Sequence, residues 1–101
     1  MKTVRIGHID FKIIEMDKVS ASDKYGMYLQ ADEEIHLCKG MSRRRAAEVL
    51  LHEILHGVVD FQNLGMGETD EERIVRSIAN GLASTMRDNQ KLFSDILKAL
   101  K

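Results

Sequence analysis

The sequence predicts an α+β fold, on three observations. Short β-branched and aromatic segments fill the first forty residues, helical periodicity runs through the rest, and glycine-marked breaks separate the pieces. A chain of 101 residues sets the scale at one domain, so residues 1–101 are expected to form a single unit.

Val4, Ile6, Phe11, Ile13 and Ile14 lie in strand-like segments, with Gly7-His8 between them as a turn. Residues 17–24 are polar and predict a loop. Tyr25 to Gln30 and Glu34 to Cys38 form two more strand candidates, joined by Ala31-Asp32-Glu33 as a hairpin connection. Gly40 closes this half. The expectation is a small, mostly antiparallel sheet over about residues 3–38.

Ser42 is placed to cap a first helix, expected over about residues 43–62. Its apolar residues run nearly all the way round, from Ala46 and Ala47 through Val49 to Val59, which predicts a position in the middle of the domain. Asn63 to Glu68 is a loop containing Gly65 and Gly67. Thr69 opens a second helix, about 69–88, with the stripe Ile74, Val75, Ile78, Ala79, Leu82, Ala83 and Met86. A short third helix, about 89–100, carries Leu92, Phe93, Ile96, Leu97 and Leu100.

Charge and cysteine usage narrow the setting. The net charge of -1 gives no field that would draw the chain to nucleic acid or an anionic membrane. One cysteine, Cys38, excludes an intramolecular disulfide and suits a reducing compartment. The N-terminus has no long apolar run, so the expected location is cytoplasmic. Arg43-Arg44-Arg45 stands at the positive end of the first helix and suits a solvated surface, since no wider basic patch accompanies it.

The chemistry concentrates at His52-Glu53-Ile54-Leu55-His56. Histidines four apart on a helix project from one face, one turn apart. Two imidazole nitrogens can then reach a single zinc ion at about 2.0–2.1 Å. Glu53 projects beside the first histidine, where a carboxylate can take a proton from water that zinc has acidified. Two of the four histidines hold this spacing on an otherwise apolar helix, and burying them with a glutamate would be costly without a metal.

A third ligand has to come from elsewhere. Thr69-Asp70-Glu71-Glu72 opens the second helix, and a helix hairpin would bring that turn near the histidines. The same acidic turn complements the helix dipole, and Thr69-x-x-Glu72 has the form of a capping box. By helical geometry Glu71 lies nearer the stripe's centre, and Glu72 lies toward Ala79 and Ala83; both remain candidates. His36 and Cys38 alternate on one strand face, which could offer metal ligands, but the helix pair already supplies a site and a half-buried strand accounts for the pattern. Tyr25, Tyr28 and His36 are all candidates to stabilise an oxyanion.

Leu51-His52-Glu53-Ile54-Leu55-His56-Gly57, followed by Glu72-Arg73-Ile74-Val75-Arg76-Ser77-Ile78-Ala79-Asn80-Gly81-Leu82, resembles the ImmA/IrrE-like metallopeptidases of bacteria and phages, of the gluzincin class. The likeness covers roughly the second half of the chain. The family's ligand glutamate has a small apolar residue three positions later and alanine seven later, which Val75 and Ala79 match if the glutamate is Glu72. Arg76 stands where that family commonly has Asn or Asp, and the usual apolar-Met-Pro helix ending is missing, since the chain has no proline. The resemblance implies a zincin-like core, one zinc held by His52, His56 and Glu72, and Glu53 as general base. It implies a peptidase acting on an intracellular protein or peptide, plausibly a regulatory protein. The alternative is a zinc-stabilised binding module of a phage or mobile element that cleaves nothing.

Overall fold

Backbone pairing sets the frame. The computed structural model describes residues 2–17 and 24–101, so most of the expected 17–24 loop lies outside the described residues. Strand β1 (Lys2–Ile6) turns back into β2 (Ile9–Met16) through Gly7-His8. Gly7 has φ +63°, at the first central position of this two-residue turn. A Cβ there would also clash with the edge of the Phe61 ring. Strands β3 (Gly26–Leu29) and β4 (Glu34–Cys38) form the second hairpin, through a loop in which Glu33 takes φ 55°.

The sheet order is β1-β2-β4-β3. Both hairpins are antiparallel, but β2 pairs β4 in parallel, with Ile13 opposite Ile35 and Ile14 opposite His36. The sheet is therefore mixed. The antiparallel pairs follow from short turns that the sequence marks. The parallel pair joins segments separated by the crossover through residue 25, which no local signal encodes. Its consequence is that β3 becomes an edge strand.

Helix α1 (Arg43–Phe61) starts where expected, and the Arg45 N–H donates to Ser42 Oγ at 3.1 Å. It lies across one face of the sheet, against β3, β4 and β1. Only Val49, Glu53 and Gly57 on this helix are buried, a single line at i, i+4 and i+8. As expected, α1 sits in the middle of the domain, between the sheet and α2, which does not touch the sheet. Its burial is not complete all the way round, because a single helix covers it on the side away from the sheet and leaves Ala47 and Val58 exposed. The core is Ile6, Phe11, Ile35 and Leu37 from the sheet with Val49 from α1.

Helix α2 (Glu68–Asp88) packs along α1 through the buried Val75 and Ala79. It begins one residue before Thr69. Its N-cap is Gly67, whose carbonyl accepts from the Glu71 N–H at 2.8 Å. The Thr69-x-x-Glu72 capping box does not form, because Asn63 and Gly65 at positive φ complete the turn early and leave Thr69 inside the helix. Helix α3 (Gln90–Ala99) follows after Asn89 and buries none of its residues. Among the described residues, no helix is long and apolar enough to cross a membrane.

Gly57 sets how closely α1 approaches the sheet. A Cβ there would meet Ile6 Cδ1 at 2.6 Å and Tyr28 Cε1 at 3.1 Å. Gly57→Val should destabilise the fold by about 1–3 kcal/mol, despite the better helix propensity of valine. Urea denaturation measures this; a midpoint at or above the wild-type value would show that α1 does not depend on that close approach.

Candidate metal centre

The local geometry of α1 divides the motif between two neighbours. Glu53 continues the line of Val49 and Gly57, so it faces the sheet and is 8% exposed. His52 and His56 project to the side where α2 runs, and their ring centroids are 4.8 Å apart. The N-terminal turn of α2 supplies both acidic candidates to the same place. The inward stripe of α2 is centred on Val75 and Ala79, while Ile78 is 52% exposed. Glu72 and Glu71 precede Val75 by three and four residues, so both face α1.

Their roles separate. His52 Nε2 lies 3.0 Å from Glu72 Oε1, His56 Nε2 lies 2.9 Å from Glu72 Oε2, and the two Nε2 atoms are 3.1 Å apart. Glu71 Oε2 instead meets the far side of the ring, 2.6 Å from His56 Nδ1. The structure thus brings His52, His56 and Glu72 together around one point and sets Glu71 behind His56.

The donor chemistry suits a cation. A carboxylate only accepts, so His56 Nδ1 donates to Glu71, which orients the ring with Nε2 toward His52 and Glu72. Burial lowers the pKa of His52, with Glu72 opposing that shift, which favours the neutral ring. His52 Nε2, His56 Nε2 and the Glu72 oxygens, all atoms able to ligate a metal, crowd together there. Bonds of about 2.0–2.1 Å in a tetrahedral zinc site separate ligand atoms by about 3.3 Å, close to the spacings found here. These three side chains could hold a metal ion.

Glu53 sits apart from that cluster. Burial raises its pKa, while nearby His56 and a hydrogen bond from the Tyr28 backbone act in the opposite direction. Gly26 makes room for it: a Cβ at Gly26 would meet Val49 Cγ1 at 2.6 Å and Glu53 Oε2 at 3.3 Å. The Cys38 N–H donates to the Tyr25 carbonyl, so the ladder alternation turns the backbone groups of Gly26 and Tyr28 away from β4, toward the open edge. Edge strand and metal cluster share a cleft of about 890 Å³, which Arg76 and Asn80 also line. Arg76 donates to Glu72 Oε1 at 3.4 Å.

The other candidates lie elsewhere or are engaged. His36 and Cys38 occupy the sheet face away from α1, because Ile35 and Leu37 take the inner one. His36 Nε2 is 2.8 Å from Glu34, and the Cys38 thiol donates to the Asp17 carbonyl. Tyr28 lines the cleft, but its hydroxyl donates to Asp60 at 2.9 Å, and burial with that partner raises its pKa. Tyr25 lines the cleft with Arg45 stacked over its ring. Arg43 and Arg44 are exposed, the latter 4.0 Å from Glu48. The contact of Glu71 with the ring nitrogen is the feature that spacing alone did not reveal.

No protein-family profile, curated protein or solved structure matches this chain.

The two glutamates predict different losses. Glu72→Gln should remove most of the zinc affinity measured by chelator competition. Glu71→Gln should weaken it by only about 10–100-fold, the usual effect of losing a carboxylate behind a ligand histidine. Zinc held normally by Glu72→Gln and lost from Glu71→Gln would reverse the two roles.

Proposed function

We propose that the chain is a zinc-dependent endopeptidase with a zincin-like core, akin to the ImmA/IrrE-like metallopeptidases that its two motifs resemble. The observation that carries this reading is the convergence of His52, His56 and Glu72 in a cleft that also holds Glu53 and an open strand edge. His52, His56 and Glu72 would hold the zinc. Zinc bound there supplies Lewis acidity, which lowers the pKa of water and polarises a carbonyl.

The chain's own residues do the rest. Glu71 fixes the tautomer and ring orientation of His56. Glu53 accepts a proton from the attacking water and hands it to the leaving nitrogen, which places its buried carboxylate as general base and then acid. Tyr28 fixes that carboxylate through its backbone N–H. Gly26, with no side chain, lets the carboxylate lie against the strand. The free edge of β3 offers main-chain hydrogen bonds to an extended substrate, which would add as a further strand. A regulatory protein with an extended segment is the substrate class that the resemblance suggests.

Glu53→Gln keeps the shape of the side chain and cannot accept a proton. Zinc stoichiometry should stay near one per chain, while cleavage of an unstructured protein such as casein should fall by at least about 100-fold. Cleavage by Glu53→Gln at the wild-type rate would exclude Glu53 as the base. Zinc binding by the wild type with no cleavage of any tested protein would favour the non-cleaving binding module.

A further inference from the structure

Helix α3 uses little of its own apolar face, with Phe93 alone partly buried. Leu92, Ile96, Leu97 and Leu100 are 42–75% exposed, and α3 touches α2 alone among the elements. A ten-residue helix is too short to hold itself together in water, so its stability has to come from packing. The shape carries the same sign: the radius of gyration is 14.0 Å, against about 13 Å for an ordinary domain of this length.

The complementary surface lies on the same chain. A groove of about 820 Å³ runs between α1 and α2, floored by Ala47, Leu50, Leu51, Ile54, Ala83 and Met86. It ends at Gln90, where α3 begins and departs. We propose that two copies of this chain associate by seating each α3 in the α1–α2 groove of the other. An unpartnered apolar helix and an unpartnered apolar groove on one chain make the surface self-complementary, and reciprocal seating closes it as a two-fold dimer. A helix about 15 Å long and about 11 Å wide buries half its circumference in such a groove. Both sides of both contacts then total roughly 1,000 Å², the lower bound for a specific interface. The dimer is therefore weak, in about the micromolar range. No residue of β3 lines the groove, so dimerisation leaves the β3 edge free.

Sedimentation velocity on the whole chain, from about 1 to about 100 µM, reads this directly. The wild type should pass from monomer to dimer across that range. Leu97→Glu alters the α3 face and Ala47→Glu the groove floor; both positions are exposed, and circular dichroism should show the longer helices α1 and α2 intact. Each variant alone should stay monomeric. An equal mixture of the two should also stay monomeric, because the single unaltered contact left to it covers only about 500 Å², half of the whole. A wild type that is monomeric throughout, or a folded variant or mixture that dimerises like wild type, would overturn the proposal.

Discussion

The rest of the structure depends on the close seating of α1 across the sheet. Gly57 and Gly26 permit it, one on each element, because at each place a side chain of the facing element fills the space that a Cβ would take. The line Val49, Glu53, Gly57 is then pressed into the core layer, and the histidines are turned sideways. The axial rotation of α1 thereby sorts the motif into a carboxylate facing the strand and two imidazoles facing the next helix. A glutamate at a core position costs free energy unless its charge is compensated. Here the Tyr28 backbone and the neighbouring His56 offset that cost only in part, and burial still raises the pKa of Glu53.

The second helix completes the cluster by a different principle. Val75 and Ala79 are small, so α2 can lie close against α1 and bring its first turn level with His52 and His56. Acidic residues in a first turn are favoured by the helix dipole in any case. The fold converts that ordinary preference into a pair of carboxylates with separate tasks, one at the imidazole Nε2 atoms and one at Nδ1. Arg76, one turn further along, leans on Glu72.

The core that supports this is small. Few side chains beyond Phe11, Ile35 and Val75 are fully enclosed. A cation bound only by the folded chain would add to the stability of a domain with a limited core. Metal binding and folding are therefore expected to be coupled, more strongly than in a larger protein with the same ligands.

The sequence by itself determined whatever depends on neighbours along the chain. Strand alternation, the Gly7-His8 turn, the Ser42 cap and the three helices are local, as is the i, i+4 spacing that puts His52 and His56 on one face. What needed the tertiary structure was every relation between distant segments. The parallel β2–β4 pair has no local mark, and neither does the edge position of β3 that it creates. The apolar run of α1 suggested burial on all sides, because hydrophobicity does not tell how many layers surround a helix. Ile78 drew the apparent stripe of α2 toward Glu71, yet Ile78 is exposed and the packed line runs through Val75 and Ala79. Composition could not separate Glu71 from Glu72. Only the approach of two helices could, because one residue along a helix is a rotation of about 100°, and that rotation decides which nitrogen of His56 each carboxylate meets.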